Sequence, residues 1–160
     1  MASEWPEQVE RVAAVLRASG VDARIEEFPE GTPTAEAAAK AAGCEAAQIV
    51  KSLVFVCDGL PVLALVPGDR RADAAKIAAA AGAGYARMAK PSEVLAATGF
   101  DLGGVAPFPA PRVSQVLIER ELLRHETIWA GAGSSRHMVA VAPADAVRLT
   151  NAEPADLAEI

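Results

Sequence analysis

A lysine at the start of an apolar strand is the most informative candidate for chemistry in this sequence. Lys51 follows Ile49-Val50 and, after Ser52, precedes the apolar run 53–57. Lysine is rarely buried without a partner. Two interpretations follow from this placement. Either the side chain runs along a strand edge and keeps its ammonium in water, or the ammonium enters a pocket and binds a carbonyl or phosphate oxygen.

A glycine- and proline-rich loop is the second candidate. Gly103-Gly104-Val105-Ala106-Pro107 combines two glycines, which permit close backbone approach, with a proline that fixes the shape of the loop 102–111. Such a loop can present backbone N–H groups to an oxyanion or a ribose oxygen. It has the spacing of neither GxGxxG nor a P-loop. A rigid connection between a helix and a strand is therefore the alternative.

The third candidate is the segment 131–137, which reads Gly-Ala-Gly-Ser-Ser-Arg-His. Small residues, two hydroxyls and two basic groups between strands suit an anion or ester site. The alternative is a hairpin loop made of ordinary turn residues. In that case His137 stands on the solvent-facing side of a strand.

The remaining reactive side chains match no motif of a metal site, an activated thiol or a serine nucleophile. Cys44 and Cys57 lack the context of an activated thiol and do not form a disulfide framework. The cysteines and histidines lack metal-ligand spacing, and the serines lack the GxSxG elbow. Glu26, Glu27 and Glu30 are interpreted as a solvated rim. We therefore expect no metal and no cofactor.

Hydrophobic periodicity predicts the elements that position these candidates. A first helix contains Trp5 and Leu16, with Ser3 as N-cap and Gly20 as its end, and further helices cover 35–42, 73–81, 91–99 and 143–149. Strands are predicted over 21–26, 53–57, 62–66, 85–88, 113–118, 127–130 and 137–141. The tail 151–160 is polar, which predicts a frayed or weakly helical end. Because Asp58-Gly59 signals a hairpin, we expect a mixed sheet with helices packed on it.

Length and composition limit the class of protein. A chain of 160 residues fits one domain spanning 1–160. With 52% hydrophobic and 22% charged residues, the chain is not intrinsically disordered. The net charge of −6 argues against bulk coating of nucleic acid but leaves recognition of a small part of one open. No apolar run approaches the roughly 18 residues of a membrane span, and the N-terminus has no secretory pattern. We expect a cytoplasmic protein without membrane contact.

Four segments, in their order along the chain, resemble a known family. They are Thr34-Ala35-Glu36-Ala37-Ala38, the stretch 48–55 around Lys51, the loop 103–107 and Gly131-Ala132-Gly133. The pattern resembles the YbaK/prolyl-tRNA-synthetase-associated domain family, the bacterial trans-editing aminoacyl-tRNA deacylases. The likeness runs from about Val9 to Leu149. The lysine strand and the GxxxP loop are together fairly specific to that family.

The resemblance implies an α+β single domain with a mixed, mostly antiparallel sheet, a core at about 9–149 and helices packed around the sheet. It implies a hydrolase that cleaves the ester of mischarged tRNA in trans, removing a small amino acid in tRNA(Pro)-type editing. Water attacks this activated ester, helped in the family by the terminal 2′-hydroxyl of the tRNA. The implied partners are the acceptor end of the tRNA and, in addition, an aminoacyl-tRNA synthetase.

The resemblance also assigns residues to this chemistry. Lys51 matches the essential lysine, and Gly103 and Gly104 match the catalytic loop, whose N–H groups stabilise developing charge. The implied substrate-binding residues are Ser52, Val105, Ala106, Pro107, Gly131, Gly133 and His137. Phosphate contacts are expected from Arg70, Arg71, Arg112 and Arg136.

Two departures from the family pattern leave the amino acid open. Ser52 stands where several members have Thr or Asn, and Pro109 stands where many have Gly. A pocket distinguishes one methylene by only about 1–3 kcal/mol, so small changes can switch substrates. Two other functions remain open from the residues. One is a non-catalytic binding module for a tRNA 3′ end, a nucleotide or a synthetase, and the other is a hydrolase of free aminoacyl esters or adenylates.

Overall fold

The computed structural model describes residues 5–160, so the predicted N-cap at Ser3 lies outside the described residues. Within this range the α-helices are α1 (Glu7–Ser19), α2 (Ala35–Ala42), α3 (Ala74–Ala81), α4 (Pro91–Thr98) and α5 (Pro143–Thr150), and short 3₁₀ turns cover Ala46–Gln48 and Arg120–Arg124. The predicted end of α1 is confirmed. Gly20 has a left-handed φ of 71°, and its N–H donates to the Leu16 carbonyl.

The strands form two sheets rather than the one mixed sheet expected from the sequence. They are β1 (Arg24–Glu27), β2 (Val50–Cys57), β3 (Leu60–Pro67), β4 (Ala86–Met88), β5 (Gln115–Glu119), β6 (Ile128–Ser134), β7 (His137–Val141) and β8 (Glu153–Ala155). One sheet has the order β4-β2-β3-β5-β8, and the other is β1-β7-β6. A parallel bridge between Ile49 and Trp129 joins them at one point. The α+β class with a mixed sheet is confirmed, and the division arises because β7 pairs with β1 and β6.

The hairpin predicted at Asp58-Gly59 is confirmed, and it builds the centre of the larger sheet. β2 and β3 pair antiparallel, with Lys51 opposite Val66. β3 then pairs in parallel with β5, which makes the sheet mixed. Leu63 and Leu65 join one hydrophobic cluster, while Val62, Ala64 and Val66 join another on the opposite face. A strand buried on both faces gives the continuous apolar run seen in the sequence.

The segment 131–135, expected to be a loop, belongs largely to a strand. β6 continues to Ser134 and pairs with β7, with a shift of register between Gly131 and Ser134. Small residues such as glycine and alanine carry little strand signal, so only the pairing with β7 defines this part of β6. The alternative in which His137 stands on the solvent-facing side of a strand is wrong, because His137 is only 4% exposed.

The C-terminal tail is packed against the domain, which corrects the expectation of a frayed or weakly helical end. β8 pairs in parallel with β5. Beyond it, Leu157 and Ala158 are fully buried in the cluster that contains Ile77 and Leu117. This packing depends on strands and helices distant in sequence, and polar composition alone did not reveal it.

None of the helices among residues 5–160 is long and apolar enough to cross a membrane.

Candidate active site

A cavity of about 390 Å³ opens between the two sheets and the N-terminal end of α2. Its walls come from the approach to α2, the first half of β2, the glycine loop and the β6–β7 hairpin. The lining residues with polar side chains, together with two glycines, are Thr32, Thr34, Lys51, Ser52, Gly103, Gly131, Ser134 and His137. The structure thus brings together residues that are up to about a hundred positions apart in the chain.

Lys51 lines this cavity from β2, and its ammonium is held at a defined point. The Lys51 side chain is half-buried, and its Nζ donates a hydrogen bond to the Arg70 carbonyl. Desolvation lowers the pKa of Lys51, and the nearby Asp69 and Glu36 carboxylates partly oppose this by favouring the charged form. An ammonium has three N–H donors. One donor is used by the Arg70 carbonyl, so the same group can still donate to a substrate oxygen.

Ser52 adds an unusual polar atom to the same wall. Its Oγ is buried, and within residues 5–160 it has no hydrogen-bond partner. A buried hydroxyl without a partner costs free energy. Because Ser52 lines the cavity, a rotation of its side chain brings this hydroxyl to a ligand and removes that cost, which makes Ser52 a candidate substrate contact.

The glycine loop packs against β6 through positions where no side chain fits. A Cβ atom at Gly131 would come 2.6 Å from the Val105 carbonyl oxygen, and one at Gly104 would come 3.0 Å from the backbone of Gly133. The Gly133 N–H donates to the Gly104 carbonyl at 2.9 Å. These glycines therefore set how closely the loop approaches the cavity wall. Gly133 and Gly104 support this wall and do not line the cavity themselves.

The predicted catalytic pair in this loop divides into two different environments. Gly103 lines the cavity and has a left-handed φ of 97°. The N–H of Gly104 instead donates to the Asp101 carbonyl at 3.0 Å. Because that donor is already engaged, Gly103 is the better candidate for a backbone contact to substrate.

Besides Gly133, two of the predicted substrate contacts lie away from the cavity, and both belong to the loop 103–107. Val105 lines it, but Ala106 is fully buried in the main hydrophobic cluster. Pro107 lies at a separate recess together with Val15 and Leu149. Only the first half of the loop 103–107 faces the candidate site, so the structure gives no support to Ala106 and Pro107 as substrate contacts.

His137 lies in the cavity wall between two polar partners that the sequence did not connect with it. Its Nδ1 is 2.6 Å from the Ser134 Oγ, and its Nε2 is 3.5 Å from a Glu27 carboxylate oxygen. The Trp5 ring packs edge-to-face on the imidazole, with 5.5 Å between ring centroids. Glu27, which the sequence places in a solvated rim, keeps 58% of its side chain exposed while one carboxylate oxygen faces the imidazole. Only the register of the strands connects Glu27 and Ser134 with His137, and the periodicity of a single sequence does not give strand register.

The four arginines expected to bind phosphate do not form one patch. Arg70 donates from its guanidinium to the Glu159 carbonyl at 2.7 Å, and Arg112 donates to the Ala96 carbonyl at 3.1 Å. Arg112 lines a different recess, beside Glu93. Arg71 and Arg136 are exposed, and each is adjacent in sequence to a residue of the site or its support. These two remain the candidates for phosphate contacts.

Residues 29–149, more than half of the chain, match the model of the aminoacyl-tRNA editing domain. The chain belongs to the aminoacyl-tRNA editing domain family. The sequence-based identification of the family is thereby confirmed, as is the expectation of a hydrolase that acts on the aminoacyl-tRNA ester.

Similar proteins agree with this membership. The editing domain is 30% identical to EbsC of Enterococcus faecalis, a candidate Cys-tRNA(Pro)/Cys-tRNA(Cys) deacylase, over 78% of this chain and 76% of EbsC. It is 38% identical to the proline–tRNA ligase of Nitratidesulfovibrio vulgaris over 62% of this chain and 18% of the ligase. A crystal structure of a candidate trans-editing enzyme for prolyl tRNA synthetase superposes with a TM-score of 0.90. That match has 36% identity and covers 98% of this chain and 100% of the other.

Proposed function

We propose that this editing domain hydrolyses, in trans, the ester between a small amino acid and the 3′ end of a mischarged tRNA of the tRNA(Pro) type. The observation that carries the proposal is a cavity lined by both Lys51, whose ammonium donates to the Arg70 carbonyl, and Ser52, whose hydroxyl has no partner among residues 5–160. The similarity to EbsC and to the ligase from Nitratidesulfovibrio vulgaris supports the choice of tRNA.

The size of the cavity supports a small substrate group. Its volume of about 390 Å³ is near the lower end of the range of roughly 300–1,000 Å³ found for small-molecule sites. It admits an aminoacyl group with part of the terminal nucleoside, while the acceptor stem stays outside. The net charge of −6 is compatible with this arrangement, because only the end of the tRNA enters the protein.

The reaction needs little from the protein beyond position and charge. Water adds to the ester carbonyl carbon, the bond from that carbon to the ribose oxygen breaks, and a proton passes from the water to the leaving ribose oxygen. Lys51 donates to the carbonyl oxygen as negative charge develops there, or fixes the adjacent phosphate. Gly103 supplies a backbone N–H beside it. Holding the ester and the water together lowers the entropic part of the barrier.

The water is activated by the neighbouring 2′-hydroxyl of the terminal ribose. This assignment follows from the family resemblance, and it leaves Lys51 in the role of a hydrogen-bond donor, the role it has toward the Arg70 carbonyl. The setting of this reaction is the cytoplasm, where charged tRNA is used. An aminoacyl-tRNA synthetase is the proposed source of the mischarged substrate and a candidate docking partner.

A deacylation panel tests this proposal. Wild-type protein, Lys51→Ala and the surface control Lys40→Ala are incubated with tRNAs charged with Ala, Cys, Ser, Thr or Pro, and the remaining ester is counted over time. We expect the wild type and Lys40→Ala to remove one small amino acid at the same rate. Loss of the ammonium at Lys51 is expected to slow that reaction about 100-fold or more.

Two results separate the alternatives. If the wild type binds charged tRNA but hydrolyses none of the esters, the proposal is wrong and the protein is a binding module. If a free aminoacyl ester is hydrolysed as fast as the charged tRNA, the substrate is a small molecule. Replacing the terminal 2′-hydroxyl with hydrogen is expected to abolish turnover, and an unchanged rate contradicts its role in activating water.

A further inference from the structure

We propose that Glu27 and Ser134 hold the neutral imidazole of His137 with its proton on Nε2, and that the Ser134 hydroxyl oriented in this way accepts a hydrogen bond from the α-ammonium of the aminoacyl ester. The first half concerns the geometry of this protein alone. The second half rests on the proposed function. Ser134 is then a substrate-positioning residue, and Glu27 acts on it through His137.

Backbone pairing places these three side chains in a row. Glu27 on β1 is the register partner of His137 on β7, and Ser134 on β6 is its partner on the other side. Directly opposed residues on neighbouring strands have their Cβ atoms about 4.5–5.5 Å apart. The contacts among the three residues therefore follow from the register of the smaller sheet. The shift of register between Gly131 and Ser134 is what places Ser134 opposite His137.

The chemistry of the two ring nitrogens selects one form of the neutral imidazole. Nε2 lies 3.5 Å from the Glu27 carboxylate oxygen. A lone pair on Nε2 would face a negative oxygen, whereas an N–H there is attracted to it. With the proton on Nε2, Nδ1 is an acceptor. The Ser134 hydroxyl at 2.6 Å then donates its hydrogen to Nδ1.

This arrangement fixes what Ser134 offers to the cavity. Its oxygen accepts a hydrogen bond from the Arg136 N–H at 3.0 Å. A hydroxyl has one donor and two acceptor lone pairs. With the hydrogen committed to His137 and one lone pair to Arg136, the remaining lone pair is available on a residue that lines the cavity. Ser134 therefore presents an acceptor and not a donor.

Charge indicates which part of the substrate meets this acceptor. An aminoacyl ester carries one positive group, the α-ammonium, and once its carbonyl oxygen is bound to the Lys51 ammonium the two like charges repel at short range, while the Asp69 and Glu36 carboxylates near Lys51 weaken this repulsion without removing it. The side of the cavity formed by the β6–β7 hairpin carries the Ser134 acceptor and, behind His137, the Glu27 carboxylate, whose side chain is 58% exposed. The ester is thereby oriented with its carbonyl oxygen toward Lys51 and its ammonium toward Ser134.

Nitrogen NMR tests the state of His137 without any activity. The sequence has two histidines, so a His125→Gln variant assigns the signals. At about pH 8, where free histidine is neutral, we expect Nδ1 to give the signal of a bare nitrogen and Nε2 that of an N–H. Glu27→Gln is expected to mix the two tautomers, while Glu30→Gln, on an exposed neighbour, leaves them unchanged. A proton on Nδ1 of the wild type overturns the proposal.

Kinetics on paired substrates tests the role of Ser134. The aminoacyl-tRNA that is hydrolysed in the panel is compared with its N-acetyl form, which lacks the positive charge. Ser134→Ala is expected to raise KM about 10-fold for the free amine, the range of one charged hydrogen bond, and to leave the N-acetyl substrate unchanged. Ser134→Thr, which keeps a hydroxyl, restores the wild-type KM. The exposed neighbour provides the control variant Ser135→Ala.

The outcomes distinguish this inference from the proposed function. Equal losses on both substrates in Ser134→Ala mean that the serine acts only structurally, and the ammonium contact is then wrong. If the wild type hydrolyses no charged tRNA, the proposed function and the ammonium contact fail together, whereas the NMR result still decides how Glu27 and Ser134 orient His137.

Discussion

Shortening Leu157 to alanine is expected to destabilise the whole domain, although the residue is close to the C-terminus. Its side chain is fully buried among residues of β3, β5 and α3. Both backbone polar groups of Leu157 also form hydrogen bonds. Its N–H donates to a Glu119 carboxylate oxygen at 3.0 Å, and its carbonyl accepts from the Asp73 N–H at 2.8 Å.

The expected magnitude follows from what is removed. Leu157→Ala deletes three buried carbons, which at about 0.8 kcal/mol each contribute about 2.4 kcal/mol. The facing residues of α3 are mostly alanines on a rigid helix, so the space left behind collapses only partly and adds about 1 kcal/mol. We expect a loss of about 3 kcal/mol in the free energy of unfolding, which is a large part of the roughly 5–15 kcal/mol typical of a domain.

Urea unfolding followed by tryptophan fluorescence measures this loss, with Ile160→Ala as the control because Ile160 is fully exposed. The expected result is a lower midpoint for Leu157→Ala at an unchanged slope, and no shift for the control. A loss below about 1 kcal/mol would refute the reasoning, because the tail would then be a frayed end that contributes little burial.

The same variant connects the tail with the candidate site. The carbonyl that binds the Lys51 ammonium belongs to Arg70, whose guanidinium is bound by the Glu159 carbonyl. The Glu159 N–H also donates to the Arg71 carbonyl at 2.8 Å. Loosening the tail therefore releases the segment that positions Lys51. Deacylation by Leu157→Ala is expected to fall even where the variant is fully folded.

Three further perturbations test individual features of the site. Ser52→Ala is expected to raise the free energy of unfolding by about 1 kcal/mol in urea unfolding, since a buried unpartnered hydroxyl is removed, while it lowers the rate of deacylation. Gly131→Ala is expected to slow deacylation by pushing the neighbouring loop away, whereas Gly84→Ala, whose Cβ meets nothing nearer than 3.8 Å, is tolerated. In an NMR titration the pKa of Lys51 is expected below its ordinary value of 10.5, because desolvation disfavours the ammonium, and Asp69→Asn is expected to lower the pKa further. With this sign, the lowered pKa of Lys51 reduces the free energy of unfolding by its full amount below the pKa of the folded state, and this loss is relieved as the pH rises from that pKa to the ordinary value of 10.5. A pKa of Lys51 equal to or higher than the pKa values of the surface lysines would contradict the argument that burial disfavours its ammonium.

Helices and central strands were predictable because their signals are local. The end of α1 follows from a glycine that alone adopts the left-handed conformation without strain. The apolar run of β3 follows from burial on both faces. Lys51 was identifiable for the same reason, since a charged residue within such a run requires an explanation. The predicted roles of the site residues remain predictions until the variants are measured.

The sequence by itself determined the α+β class, the hairpin at Asp58-Gly59 and the family, because periodicity, turn chemistry and short motifs are encoded by neighbouring residues. Only the tertiary structure decided that the smaller sheet aligns Glu27, His137 and Ser134, and that the tail packs beneath the segment that holds Lys51. Strand register and the burial of a polar tail depend on partners far away in the chain. Their free energies are therefore set by contacts that no local pattern contains.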